Sequence, residues 1–416
     1  MSGMKQLSKI AVGMLIVSYA NAASLKDILN SVAKNNELLQ SSTLMTQSKN
    51  KDLESVSNIY APNIMVGDGF SRLDGDVSNK QVGTTNVAYI KAGITLYDGG
   101  KNKAIKKQKL YQYKSNFYQK EESTKELLLQ TVTLFFQAKS IEAKLFAYED
   151  KSKTLKAQYE KEQIKFNNGM TTIDSILKLK SEYQSNLYVI SDLKYQLEKM
   201  LQTLTLLSNK KIKKLDESRL KDIQNVTFQD SFNVKSLQND IEASKQNINI
   251  IKSAKKVQVR LEDSYSLYYY DDYNKRILSD LPDQQNKFLF NIQFNLYDTV
   301  TKHKKESLSL VHQALNEKLM YQKKQDTLNF ALAKKRLETE KEKITSSKLA
   351  LEMAQSVYDI VSDKYENGIV DNITYLDALS KKVINEAIYK EALYEYEIAK
   401  ANYYFYSGIN YQEMLK

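Results

Sequence analysis

Two segments of the chain alternate apolar and polar residues with the same parity. Their apolar positions are Ala88, Ile90, Ala92, Ile94 and Leu96 and, 200 residues later, Phe288, Phe290, Ile292, Phe294 and Leu296. Successive side chains of a strand point to opposite faces, so each segment is predicted to be a strand with one apolar face. About ten residues of alternation suit a tilted membrane-spanning strand, whose apolar face would meet lipid. A half-buried strand of a soluble sheet has the same local pattern.

Each alternating segment ends in Leu-Tyr-Asp, at 96–98 and 296–298, and a long helical pattern follows. The helices predicted over 101–166 and 299–366 contain no glycine or proline. Apolar residues of the first helix recur at spacings built from 3, 4 and 7, which is typical of a coiled-coil seam. Gly169 and Gly368 then interrupt the pattern, and helices are predicted to return over 171–207 and 371–406. The chain is therefore a tandem repeat of strand, long helix, turn and returning helix.

The remaining segments complete a chain predicted to be mainly α with a small β part. Residues 1–22 have two lysines, a short apolar run and an Ala-Asn-Ala site, which indicates a secretory signal peptide. The predicted order is a signal peptide over 1–22, periplasmic helices over 23–60, a first β-hairpin over 61–98, a first helical hairpin over 99–207, a middle segment over 208–235, a helix over 236–256, a second β-hairpin over 257–298, a second helical hairpin over 299–408 and a short tail over 409–416.

Composition argues against most chemistry. The chain of 416 residues has no cysteine and only two histidines, His303 and His312, whose spacing does not suit a shared metal site. No catalytic Ser/His/Asp set or phosphate-binding loop is visible, so we expect neither an enzyme nor a cofactor. The net charge of +11 suggests nucleic acid, but the lysines are interleaved with glutamates as on solvated helices. No nucleic-acid partner is therefore expected.

Four predicted strands cannot close a barrel by themselves. A strand edge open to lipid exposes unpaired amides, each at a cost of several kcal/mol, so a membrane sheet must close on itself. Two chains would give a barrel of eight strands filled by its own side chains, whereas twelve strands from three chains leave a channel. The seams of the long helices also need neighbours. The sequence therefore predicts a homo-oligomer.

The whole mature chain resembles the TolC-like outer-membrane efflux proteins. The resemblance rests on the two Leu-Tyr-Asp junctions and on the runs that begin Phe-Asn-Asn-Gly-Met-Thr-Thr at Phe166 and Tyr-Glu-Asn-Gly-Ile-Val-Asp at Tyr365. It implies a homotrimer in the outer membrane of a Gram-negative bacterium, in which a twelve-stranded β-barrel continues into a periplasmic α-helical barrel. It also implies the role of exit duct in a tripartite efflux pump or type I secretion system. The implied partners are a periplasmic adaptor, an inner-membrane transporter and outer-membrane lipid.

The resemblance also implies roles for residues at the two hairpin turns. Adaptor-docking tips fall on Asn168, Gly169 and Met170, and on Asn367, Gly368 and Ile369. Residues implied at or near the periplasmic aperture are Tyr365, Thr374 and Asp377, with the nearby acids Asp371 and Asp174. This chain departs from the family, because Thr374 replaces one of two expected carboxylates and Val370 replaces a basic residue. Asp377 could instead pair with Lys381, four residues later on the same helix.

Two other functions remain open from the sequence. A secreted coiled-coil protein with a structural or adhesive role would share the helical pattern, but it would not need two strands of matched parity. A periplasmic adaptor would have one helical hairpin rather than two. The sequence does not identify the cargo, because drug, metal and protein export share this exit component.

Overall fold

A computed structural model describes residues 22–74, 80–222 and 226–409. Nearly all of the predicted signal peptide, and the tail from residue 410, lie outside these ranges. The chain divides into two compact units. The first, which we call the helical unit, comprises 1–37, 124–229 and 329–416, and the second, the sheet unit, comprises 38–123 and 230–328.

Seven helices and four strands are formed by the described residues. In chain order they are α1 (Leu25–Asn35), α2 (Glu37–Ser55), β1 (Asn63–Arg72), β2 (Thr84–Tyr97), α3 (Lys101–Asn167), α4 (Ile173–Ser208), α5 (Phe232–Ser253), β3 (Gln258–Asp271), β4 (Gln284–Gln293), α6 (Thr299–Glu366) and α7 (Asn372–Ser407). The chain is therefore mainly helical, as predicted. Among the described residues, no helix combines the length and the apolar character needed to cross a membrane.

The four strands form one antiparallel sheet in the order β1-β2-β3-β4. Its register places the predicted apolar residues from Ala88 to Ile94 and from Phe288 to Ile292 on the same face, because Ala92 of β2 lies opposite Asp263 of β3, which lies opposite Phe288 of β4. Leu96 falls in a register shift between Thr95 and Tyr97 and has no strand partner. We call the shared face the apolar face. Its large side chains are exposed in the single chain, with Val66 at 76%, Phe288 at 67% and Phe290 at 57% exposure. The opposite, polar face carries Lys91, Arg260, Glu262 and Lys287.

The strand predicted for the second alternating segment, which is β4, extends too far at its C-terminal end. β4 stops at Gln293, so Phe294 and Leu296 lie beyond the strand, although both are exposed. The partner strand explains this limit: β3 begins at Gln258, which pairs with Gln293, so no strand residue remains to pair with the next positions. The helices predicted over 23–60 are α1 and α2, which are separated at Asn36, whose side chain donates a 2.9 Å hydrogen bond to the carbonyl of Leu207.

The aspartates of the two Leu-Tyr-Asp motifs cap the long helices. Asp98 accepts hydrogen bonds from the backbone N–H groups of Gly100 and Asn102, at 3.0 and 2.7 Å. Asp298 accepts from the N–H of Thr301 at 3.0 Å. Such carboxylates accept hydrogen bonds from the first N–H groups of the helix, which have no partner within it. Their negative charge also interacts favourably with the positive end of the helix dipole. The repeated motif therefore fixes the start of each long helix, after three intervening residues in the first copy and five in the second.

The polar segment between α4 and α5 is held to α7 by a charge cluster in which Lys400 and Glu397 are buried and Asp222 is exposed. Lys400 donates to Glu397 at 3.0 Å, to Asp222 at 3.1 Å and to the carbonyl of Leu220 at 3.2 Å. Glu397 in turn accepts from the N–H of Leu220 at 2.9 Å. Burial lowers the pKa of Lys400, but its two carboxylates outweigh this and raise the pKa above its usual value. The lysine therefore stays charged and anchors the segment within the helical unit.

Candidate functional site

The two helical hairpins end in turns of the same geometry. Gly169 and Gly368 have φ of +70° and +72°. The N–H of Met170 donates to the carbonyl of Lys165 at 2.8 Å, and the N–H of Ile369 donates to that of Lys364 at 2.8 Å. These are the six-to-one bonds of a Schellman motif, in which a glycine takes the left-handed position after the helix. The duplicated glycines are therefore required by the backbone of each turn.

All six predicted docking residues are exposed at these turns. Met170 is 76% and Ile369 is 70% exposed, so each tip presents one large apolar side chain. The side chain of Asn168 bonds the carbonyl of Ile164 at 3.0 Å, and Asn367 bonds that of Asp363 at 2.8 Å. Each asparagine thus binds back to its own helix, which leaves the apolar side chain as the most prominent feature of the tip.

Tyr365 differs from the other predicted aperture residues because it is buried. Its hydroxyl donates a 2.8 Å hydrogen bond to Glu162 of α3, which is only 3% exposed. Lys165 binds the same carboxylate at 2.7 Å and lies 5.4 Å from the centre of the Tyr365 ring. Glu162, Lys165 and Tyr365 therefore form a buried link between the first and second hairpins, which we call the hairpin link.

The electrostatics of the hairpin link keep Glu162 ionised and Tyr365 protonated. Burial raises the pKa of Glu162, but the hydrogen bonds from Lys165 and Tyr365 outweigh it and lower the pKa below its usual value. Burial, followed by the bond to Glu162, raises the pKa of Tyr365 well above its usual value. The tyrosine is therefore the donor and the carboxylate the acceptor at neutral pH.

Aromatic rings pack around the hairpin link. The ring of Tyr365 stacks on that of Tyr375 with centroids 4.8 Å apart, and Tyr375 is 6.0 Å from Tyr358. Lys382 lies over the ring of Tyr358 at 4.8 Å. Tyr365 and Tyr375 belong to one buried core, whose other members are Ala147, Leu155, Leu179, Leu376, Leu379 and Val383. The ends of both hairpins therefore share one packed core.

The other predicted aperture residues lie on the surface. Asp371 is the N-cap of α7 and accepts from the N–H and hydroxyl of Thr374, at 2.9 and 2.6 Å. These hydrogen bonds, first that of the hydroxyl, lower the pKa of Asp371. Asp377 pairs with Lys381 at 2.8 Å, and both side chains are more than half exposed. Asp174 is also exposed, in the first turn of α4. Thr374 therefore supports the helix cap, and Asp377 makes the ion pair that its spacing allowed.

Sequence reasoning missed Glu162. It lies seven residues before Gly169 in a helix rich in lysine and glutamate, so nothing local separates it from solvated neighbours. The one available signal was its position three residues after Tyr159, on the helix face that packs against the core. The described residues contain no group of three or more His, Cys, Asp or Glu side chains arranged to hold a metal ion.

The chain is similar in sequence to one protein family and in fold to several solved structures. Residues 28–210 match the family described as outer membrane efflux protein. No curated protein sequence matches the chain. Among solved structures, the CmeC outer membrane channel of Campylobacter jejuni superposes with a TM-score of 0.82 at 13% identity, over 94% of this chain and 86% of that one. VceC, an outer membrane protein of Vibrio cholerae, gives 0.81 at 11% identity, over 93% and 96%. The MtrE outer membrane channel of Neisseria gonorrhoeae, described in its open state, gives 0.76 at 14% identity, over 92% and 89%.

Proposed function

We propose that this chain, whose residues 28–210 match the outer membrane efflux protein family, is the passive outer-membrane exit duct of a tripartite efflux pump. The resemblance to TolC-like proteins is confirmed by that match and by the fold shared with outer-membrane channels. The observation that carries the proposal is the open sheet with one exposed apolar face, because such a sheet is stable in lipid only when further strands complete it.

The geometry of the sheet supports completion by copies of the same chain. Its two edge strands, β1 and β4, are each ten residues long, so the edge of one chain matches the edge of the next in length. The edges are also staggered: β1 pairs with β2 from Thr84, whereas β4 reaches only as far as Leu267, which lies opposite Ala88 of β2. Barrel closure requires such a stagger together with tilted strands. We infer a homotrimer with twelve strands.

The helical hairpins supply the docking and closing parts of the proposed duct. The exposed turns, with Met170 and Ile369 at their tips, are the proposed contacts for a periplasmic adaptor that joins the duct to an inner-membrane transporter. The hairpin link is the proposed closing contact of the periplasmic aperture. Asp377 is proposed to line that aperture in the trimer, where it would favour cations. A type I secretion role is the second form of the same duct.

Two measurements test the duct. Mass determination of the detergent-solubilised protein should return three chains, and a stable monomer would refute the barrel. In cells that depend on this protein for efflux, deletion should raise sensitivity to exported compounds, and the gene should restore resistance. Gly368→Pro should leave the trimer in the outer membrane but abolish that resistance, because only the tip changes. The control is Tyr188→Phe, an exposed site on α4, which should restore resistance fully.

A further inference from the structure

The polar face of the sheet carries a compact group of charges. Lys91 of β2, Ser264 of β3 and Lys287 of β4 lie in one cross-strand row. In the next row Glu262 lies between Gly93 and Leu289, and in the third row Arg260 lies opposite Asn291. Three rows of strand residues span about 13 Å. We call Lys91, Arg260, Glu262 and Lys287 the charge belt.

The contacts within the charge belt leave it positive. Glu262 forms an ion pair with Lys91 and lies 3.7 Å from Arg260. One carboxylate thus faces three cations, and the net charge is +2 per chain. Arg260 lies across the backbone of Gly93, since a Cβ at that glycine would come within 3.2 Å of a guanidinium nitrogen. The arginine is therefore held along the sheet surface, with more than half of its side chain exposed.

The other face of the same strands shows which side meets water. Opposite the charge belt, the apolar face presents Ile90, Ala92, Leu261, Phe288 and Phe290, with Asp263 as the one charged residue in these rows, against four in the belt. Charges facing lipid at mid-membrane depth cost about 2–4 kcal/mol each for Lys or Arg, so the belt belongs to the lumen. In the proposed trimer the belt would form a ring with three times the charge of one chain. Rings of Lys and Arg select anions in pores.

We propose that the charge belt makes this duct favour anionic solutes over cationic ones, so that its cargo includes small anions. The belt outweighs the proposed ring of Asp377 carboxylates, because each Asp377 is paired with Lys381 at 2.8 Å whereas the belt keeps a net positive charge. The proposal rests on the proposed duct. The Debye length is about 10 Å at 0.1 M salt, so the field of the belt reaches about that far from the sheet into the lumen. The preference should therefore weaken as the salt concentration rises.

Reversal potentials of single trimers in planar bilayers with a KCl gradient test the proposal. Lys287→Gln should shift the potential toward cation preference, and Lys287→Glu should shift it further in the same direction. Lys287→Arg should match the wild type, since it keeps the charge. The matched control is Arg72→Gln, which removes one cation from the apolar face of the same sheet. It should leave the potential unchanged.

The outcomes separate the two proposals. If inserted trimers conduct but Lys287→Glu keeps the wild-type potential, the charge belt does not select ions and the inference is refuted. An equal shift in Arg72→Gln would also refute it, because the effect would then not depend on the polar face. If inserted trimers never conduct, the duct itself is refuted, and the role of the belt with it.

Discussion

Loss of the Tyr365 hydroxyl should open the proposed aperture without unfolding the hairpins. Tyr365→Phe removes the donor of the 2.8 Å bond to Glu162 while the ring can keep its stacking on Tyr375. Hydrogen bonds to charged groups contribute about 1.5–3 kcal/mol, and about 1.4 kcal/mol is a factor of ten in an equilibrium constant. Glu162 keeps Lys165 as a partner, so the loss of free energy should lie at the lower end of that range. The open-to-closed ratio should rise about tenfold per chain.

Single-channel recording measures this change directly as open probability at fixed voltage. Tyr188→Phe is the matched control, because it removes a hydroxyl from a side chain that is 78% exposed and should leave the open probability unchanged. Thermal unfolding of both variants checks the fold. An unchanged open probability in Tyr365→Phe, with a normal fold, would show that the hairpin link does not hold the aperture closed.

The same link has a predictable pH dependence. The pKa of Glu162 in the folded protein is below its unfolded value of about 4.3. A carboxylate with a lowered pKa stabilises the folded link fully above the unfolded pKa, and this stabilisation is lost as the pH falls through the folded pKa. Open probability should therefore stay constant from neutral pH to about pH 5 and rise below about pH 4. Glu162→Gln should remove the acid step, and its persistence in that variant would assign it to another group.

Three further changes test other parts of the structure. Phe290→Lys on the apolar face should reduce outer-membrane assembly, since a lipid-facing charge costs about 2–4 kcal/mol at the midplane. Asn291→Lys on the polar face should assemble normally. Equal yields of the two variants would contradict the assignment of faces. Gly368→Ala should lower trimer stability by about 1 kcal/mol per chain and Gly368→Asn by less, because φ is positive and no atom crowds the position. Lys400→Met should expose residues 209–222 to proteolysis, because Glu397 would lose its buried cation. An unchanged digestion pattern would show that the cluster is not the anchor.

The spacing of apolar residues predicted the helices and strands, because it shows which side of each element is buried and is visible within the element's own sequence. The helix expected over 299–366 is observed at those residues, since its pattern is uninterrupted. The strand expected to reach Tyr297 stops at Gln293, because strand length depends on how far the partner strand extends. Pairing partners lie elsewhere in the chain, and no local pattern contains them. The parity of the strands was therefore predictable, and the end of β4 was not.

The hairpin link shows how a duplicated chain obtains a contact that neither copy holds alone. When the two turns are aligned on Gly169 and Gly368, Tyr365 corresponds to Phe166, and Glu162 corresponds to Val361. The hydroxyl is thus present only in the second copy and the carboxylate only in the first. Each copy keeps the glycine, because its backbone requires it, while the polar pair is divided between the copies. The bond must therefore join one hairpin to the other, which is the property that a closing contact requires.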